Sequence, residues 1–337
     1  MSNALNLLSE ENFVAKMNAQ NVILQQIATS IPKRSPYIYM SVDDYLEITP
    51  VTDQMYWVVN SNGEHGVYLN GNCVEGKPVA MTYDPILDNN TPEQIKSAAD
   101  AGLAPNLWSV GDKVGIQMNG TIGSLALNDK YYAFIIGFNH NSAIEGMNTI
   151  HFQFGKTADG TKTIAFVDSQ YNANTSGDYF TMNTTNTNSG GWASSHMRND
   201  IMLDFKAALP SEWRDIISPC TKYSDNTGGG SDTASYVTAT TDDIFLLAEY
   251  EVQGIRSYAN SKEKDYQVQY DYYKNGNSKI FYKYNDTSTA CRWWLRSVYA
   301  ANPTNFCIVG TGGSASYFYA SISYCLASGF KVGGNAA

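Results

Sequence analysis

The chain carries four histidines, His65, His140, His151 and His196, and none stands in an HExxH or HxH arrangement. Those spacings put two imidazoles on one face of a helix or strand, so no metal centre is expected. There is no nucleophile elbow of the Gly-x-Ser-x-Gly kind and no GxxxxGK phosphate loop, so no cofactor is expected. Acidic neighbours occur at Asp43-Asp44, Asp242-Asp243 and Glu249/Glu251. Two carboxylates are what glycoside hydrolysis needs. Adjacent acids are common, however, and no aromatic pattern singles these out. Asp225 to Asp232 (DNTGGGSD) has the oxygens of a calcium loop without its spacing or its closing Glu, and reads as a solvated loop, with Asn226 to Ser231 (NTGGGS) flexible. The chemistry points away from an enzyme.

Recognition is the better-supported chemistry. Ser297 to Phe330, 34 residues, contains no Asp, Glu, Lys, Arg or His. Tyr299, Tyr317, Phe318, Tyr319 and Tyr324 sit there among Asn, Ser, Thr, Ala and Gly. Tyr gives a large contact area at low entropy cost, and small polar neighbours adapt to what it touches. Uncharged hairpins packed on a Trp-rich core have a similar composition. Val298 to Leu326 also lacks Lys, Glu, Gln, Met and Trp, which together make up 54 of the 337 residues. Codons ending in a pyrimidine cannot encode those five, and adenine-directed mutagenesis of AAC codons gives the same exclusions.

These residues need a frame. Apolar residues are 43% of the chain, enough for a core, while charged residues are only 16%. The net charge of −10 argues against nucleic acid as a partner. No apolar stretch approaches 18 residues, so no membrane insertion is expected. The N-terminus (MSNALNLLSEENF) lacks the basic start and apolar run of a secretory signal. Five cysteines without a CxxC pair then read as reduced structural thiols.

Phe13, Met17, Gln20, Leu24, Ile27 and Ile31 follow heptad spacing and end at Pro32. Residues 1–33 are therefore expected to form a helix, either packed on its own domain or oligomerising. Residues 34–104 read as a small β module with a linker from Thr82 to Pro92. Tyr37 to Met40 and Tyr56 to Val59 are its strands, Asn62-Gly63 and Asn70-Gly71 its hairpin turns, and a short helix opens at Thr91. Residues 105–337 read as an α+β domain. Strands are expected at Val114 to Met118 (turning at Asn119-Gly120), Tyr131 to Phe138 and Thr163 to Asp168. Helices are expected at Asn199 to Leu209 and Ser211 to Ser218. Asp242 to Val252 is open between helix and strand, and strands and turns follow from Ile280.

Cys291 to Ser297 (CRWWLRS), the variable-looking stretch after it and the closing Gly329-Phe330-Lys331 resemble a bacterial and phage domain family. That family carries a WWLRSP signature and ends in GVRP; this chain departs at Val298 and at Lys331-Val332. Further blocks match in order, among them Trp108 to Gly120, Ala133 to Ser142, Met182 to Arg198, Ala208 to Trp213, Thr221 to Gly228 and Thr240 to Gly254. The resemblance covers about residues 105–332.

It implies a C-type-lectin-like fold and kinship with variable proteins diversified by retroelements, several of them receptor-binding proteins of phage tails. The calcium-chelating triplet of true C-type lectins is missing, since Ala301-Asn302-Pro303-Thr304 has no carboxylate. The implied frame is Trp293, Trp294 and Leu295 in the core, with Arg296 as a structural anchor. The implied ligand surface lies between Val298 and Leu326: Tyr299, Asn302, Thr304, Asn305, Ile308, Tyr317, Phe318, Tyr319, Ile322 and Tyr324. The implied protein is a non-enzymatic, trimeric virion component that contacts other tail proteins and a host cell-surface receptor. A bacterial surface adhesin of the same fold is the alternative, and a cell-envelope depolymerase a weaker one.

Overall fold

The computed structural model describes residues 37–46, 48–49, 51, 54–60, 64–69, 72–76 and 83–334. The heptad segment within residues 1–33, with its expected trimer or tail contact, lies outside the described residues. So do Asn62-Gly63 and Asn70-Gly71. The chain divides into two units, Met1–Thr82 and Tyr83–Ala337. Residues 83–104, expected with the small module and partly as a linker, belong to the larger unit. Leu87 is buried there, the Trp108 indole N–H donates to the Asp84 carbonyl (3.0 Å), and the Asn90 amide donates to the carbonyls of Asp84 (2.9 Å) and Ile86 (3.0 Å).

The smaller unit holds β1 (Tyr37–Ser41), α1 (Val42–Leu46), β2 (Met55–Val59), β3 (His65–Leu69) and β4 (Asn72–Gly76). They form one sheet in the order β1-β2-β3-β4, with β1 parallel to β2 and the other pairs antiparallel. A parallel pair needs a crossover, and α1 lies within it. Period-two alternation sends Tyr56, Val58 and Tyr68 into a small core with Met40 and Tyr45. On β1 and β2 it places the rings of Tyr37, Tyr39 and Trp57 next to one another.

In chain order the larger unit contains α2 (Pro92–Asp100), β5 (Lys113–Ile122), β6 (Leu125–Phe138), β7 (Thr149–Lys156), β8 (Ile164–Ala165), α3 (Met202–Ala208), α4 (Ser211–Arg214), β9 (Ile217–Ser218), β10 (Cys220–Asp225), β11 (Val237–Asp242), β12 (Ile244–Phe245), α5 (Glu249–Gln253), β13 (Phe281–Lys283), β14 (Asp286–Cys291), β15 (Trp293–Val298), β16 (Asn305–Val309), β17 (Ala315–Tyr319) and β18 (Gly329–Gly333). The class is α+β. Its main sheet runs β12-β18-β7-β6-β5, with β9 also paired to β18. The C-terminal strand β18 thus sits between β7 and β12, and every residue in it is buried. Phe330 stacks on Phe152 at 5.1 Å and meets the Trp213 edge. Strands β15-β16-β17 form a separate sheet, β14-β13-β8 a third and β10-β11 a fourth.

Several local expectations change. Asn119-Gly120 does not turn; it lies inside β5, opposite Asn128 and Leu127. The apolar alternation runs on through Ile122, and Ile122 pairs with Leu125, so the turn falls at Gly123-Ser124. Gly123 has φ +53, and a Cβ there would meet the Asp178 carbonyl oxygen at 2.2 Å. Strand structure at Thr163 to Asp168 shrinks to β8, because its partners β13 and β7 meet it only briefly. Ser211 to Ser218 starts as α4 but ends as β9, where Ile217 pairs with Val332. Asp242 to Val252 is both readings in succession, β12 and then α5. Among the described residues no helix is long and apolar enough to cross a membrane.

Helix α2 shows how the sequence fixes an element. Thr91 caps it: its hydroxyl accepts the Gln94 N–H (3.2 Å), while the Gln94 side chain accepts the Thr91 N–H (2.8 Å). Pro92 fits the first turn, and Ile95, Ala98 and Ala99 are buried in the core that includes β18. Thr91→Ala should cost about 1 kcal/mol, a fall of about 2–4 °C in Tm. An unchanged Tm in calorimetry would contradict the capping role.

Candidate functional site

Arg296 sits in β15 with its side chain fully buried. Its guanidinium forks onto Glu251 of α5, with Nη1 to Oε2 at 2.6 Å and Nη2 to Oε1 at 2.7 Å. Nη1 also donates to the Leu246 carbonyl (2.8 Å) and Nε to the Ser224 hydroxyl of β10 (2.9 Å). One side chain therefore ties β15 to β10, to α5 and to the strand end before α5. Lys222 of β10 lies next to this pair, 3.4 Å from Glu251 Oε1. Its ammonium donates to Glu145 Oε2 (2.8 Å) and to the Tyr270 hydroxyl (2.8 Å), and stands 4.3 Å over the Phe245 ring. Two cations and two carboxyl groups thus meet inside the core, where burial raises the Glu145 carboxyl above its ordinary value against the pull of Lys222.

Burial opposes ionisation of Glu251, but Arg296 and then Lys222 outweigh it and hold the carboxyl well below its ordinary range. Burial, then the charge of Lys222, pushes His140 down to about 3, so His140 is a neutral ring stacked on Tyr270 at 3.6 Å. Burial likewise holds His151 well below its ordinary value. Glu145, His151 and Cys220 bring ligand atoms within 4.8 Å of one another, as do His140, Glu145 and Glu251. The cation held by Glu145 there is the chain's own Lys222 ammonium. All five thiols are free.

Asp44, Asp242, Asp243 and Glu249 are likewise bonded within the fold, while Asp43 is exposed. Glu249 is buried and accepts backbone N–H groups from Ser257, Tyr258 and Ala259 (2.8–3.0 Å). Asp242 accepts the Trp192 indole (3.0 Å), the Thr240 hydroxyl (2.6 Å) and Arg198 Nε (2.5 Å). Asp243 pairs with Lys206 at 2.7 Å, and Asp44 accepts from the Ser41 hydroxyl at 2.8 Å.

A second layer fixes the loop between β15 and β16. The buried Asn188 amide donates to the carbonyls of Asn302 (2.8 Å) and Asn305 (2.9 Å), and its oxygen accepts the Gly229 N–H (2.9 Å). Asn226 to Ser231 is therefore not a loose loop. Asp225 accepts the N–H groups of Thr227 and Gly228, and Gly228 has φ +66 with a would-be Cβ only 2.0 Å from the Asn188 carbonyl oxygen. Ser297 donates to Glu263 (2.5 Å) and accepts the Glu249 N–H (3.1 Å).

This frame presents a tyrosine surface. Tyr299 stacks on Tyr317 at 4.2 Å, and Tyr258 stands edge-on to both, at 5.6 and 4.9 Å. Tyr317 is 36% exposed and Tyr319 49%. Asn302 and Thr304 are half-exposed at its margin, and Asn302 Oδ1 accepts both the N–H (2.8 Å) and the hydroxyl (2.6 Å) of Thr304.

Five expected ligand residues are placed elsewhere. Phe318 points to the opposite face of β17, half-buried against Tyr324 at 5.2 Å. Tyr324 is fully buried, 5.3 Å from Trp294. Ile308 and Asn305 are buried in the middle strand β16, and Ile322 is buried where Asn174 bridges it. Residues 320–330 are buried throughout, so their lack of charge is a core property. The surface part of the segment is 299–304 and 310–319.

Tyr258 was not expected. Its place depends on the Glu249 cap of its loop and on the Ala300 N–H donating to its carbonyl (3.0 Å), a contact between residues 42 positions apart that no local pattern signals.

A family model described as a domain of unknown function, DUF6273, matches residues 165–327. That span takes in the tyrosine surface, Arg296, Glu251 and Lys222, but not Glu145. No curated protein and no solved structure matches the chain.

Two stability predictions follow from the buried charges. Glu251→Gln leaves Arg296 and Lys222 short of a partner and should cost about 3–5 kcal/mol in denaturant unfolding; a loss under about 1 kcal/mol would contradict the anchoring role. Glu263 behaves differently. Burial pushes its carboxyl up to about 7 from the ordinary 4.5, so the fold favours the protonated form. The stability it contributes is complete below pH 4.5 and is lost as pH rises through 7. Glu263→Gln should therefore flatten the fall in stability between those pH values, and an identical slope in protein and variant would contradict it.

Proposed function

We propose that this chain is a non-enzymatic receptor-binding protein, with a C-type-lectin-like larger unit that displays a tyrosine surface to a host cell-surface receptor. The observation that carries the reading is the contrast between surface and frame. Tyr299, Tyr317 and Tyr319 belong to a segment, 297 to 330, without Asp, Glu, Lys, Arg or His, and Tyr258 packs edge-on to Tyr299 and Tyr317, while the buried charged groups of Arg296 and Glu251 are locked to one another. Clustered, partly exposed tyrosines supply binding energy with little ordering cost, because the stack is already formed. The return of β18 to the middle of the main sheet and the separate β15-β16-β17 sheet are consistent with a lectin-like scaffold.

The phage-tail setting and the retroelement rest on the CRWWLRS resemblance, and a trimer on the heptad spacing. In that setting 299–304 and 310–319 are the positions free to vary. Asn188 holds the backbone carbonyls of Asn302 and Asn305 rather than surface side chains, and the partners of Arg296 lie outside these stretches, so side-chain changes there leave the frame intact. Several copies on one virion would multiply a weak single contact.

Replacing Tyr317 and Tyr319 together with Ala should weaken binding to cells of the source population about tenfold to a hundredfold. Tm should move by no more than a few degrees, as for surface substitutions. Retained binding would contradict the proposal, and a collapse in Tm would make the two rings packing residues.

A further inference from the structure

We infer that the free edge of β17 takes an extended polypeptide strand, so that the receptor element bound here is a linear peptide segment rather than a glycan. The inference rests on the reading of this surface as the receptor site. Among the described residues β17 ends its sheet, paired to β16 only. The register shows which backbone groups are spent. Gly310 N–H donates to the Ser314 carbonyl (2.8 Å), and Ala320 N–H to the Thr304 carbonyl (2.9 Å). Bonded pairs alternate along an antiparallel ladder, so Ser316 and Phe318 also turn their N–H and C=O groups toward β16. Ala315, Tyr317 and Tyr319 turn theirs outward. Of these the Tyr319 carbonyl accepts the Ile322 N–H (3.1 Å). Among the described residues, three donors and two acceptors at strand spacing are left along the edge.

Exposed edges are normally blunted by Lys, by Pro, by a bulge or by a covering element. Here β17 has no charged residue, no Pro and no register shift against β16. Its Ala315, Tyr317 and Tyr319 side chains share one face by strand alternation, and the outermost, Tyr319, is about half exposed. A partner that satisfies alternating donors and acceptors at this repeat, and adds side chains beside Tyr317 and Tyr319, is another β-strand. An uncharged or weakly charged segment fits, since the edge has no charge to pair.

The test uses the full chain and linear eight-residue peptides selected on it from a random library. Each selected peptide is then remade with a single backbone N-methyl group at each position in turn. Strand addition predicts a two-residue period: methylation at alternate positions weakens binding at least tenfold, and at the intervening ones less than twofold. Ala315→Pro removes one outward N–H without touching the β16 ladder, and should also weaken the peptides at least tenfold. Uniform tolerance of N-methylation overturns the inference, whether or not the Pro variant folds. So does failure to select any linear peptide, or an Ala315→Pro effect seen only on self-association of the chain. If Tyr317→Ala/Tyr319→Ala still loses cell binding in those cases, the receptor site stands and only its strand partner is wrong. If that double variant keeps cell binding, the receptor reading itself fails.

Discussion

Everything displayed by the larger unit depends on one buried ion pair, the fork of Arg296 on Glu251. A guanidinium fully removed from water is costly unless every donor is placed. Here Glu251, the Leu246 carbonyl, the Ser224 hydroxyl and, at 3.5 Å, the Tyr223 carbonyl place them, and these partners come from α5, from β10 and from the residue after β12. The fork therefore specifies how β10, β15 and α5 meet. Lys222 and Glu145 extend the network toward Tyr270, so its loss would be felt well beyond one contact. Apolar packing alone would not demand this arrangement, since hydrophobic contact is not directional.

From that centre the order spreads outward in steps. α5 carries Glu249, and Glu249 closes the loop that presents Tyr258. Ser297, next to Arg296, binds Glu263 and so joins the same framework. Asn188 and the Gly228 turn clamp the backbone of 302–305 from the other side. The tyrosine stack is the last layer, resting on backbone that is already fixed. Such a hierarchy lets surface side chains change while the parts beneath stay constant, as a receptor-binding surface under pressure to vary would require.

Much of the frame was legible in the sequence. Trp293, Trp294 and Leu295, which the CRWWLRS resemblance assigns to the core, lie in a buried strand. Thr91-Pro92 with Gln94 is a local signal, and local physics places α2 where it is read. The surface was half legible. Lack of charge from 297 to 330 marks the segment, but the same composition describes a display surface and a buried strand, and only long-range pairing separates 310–319 from 320–330. Phe318 and Tyr324 were misplaced for that reason. Tyr258 and Lys222 were missed because their roles rest on partners many residues away, such as Ala300 and Glu145. Asn119-Gly120 failed as a turn because an apolar alternation that continues on both strands outweighed a two-residue preference.

The central claim is that a fixed charged frame carries a variable tyrosine surface. Sequencing the 3′ end of the gene deeply, from the Cys291 codon onward, across a population of the source, tests it most directly. The account predicts substitutions concentrated at 299–304 and 310–319, with Trp293 to Ser297 and the buried 320–330 constant. Substitutions spread evenly over Cys291 to Phe330, or falling mainly in 320–330, would contradict it.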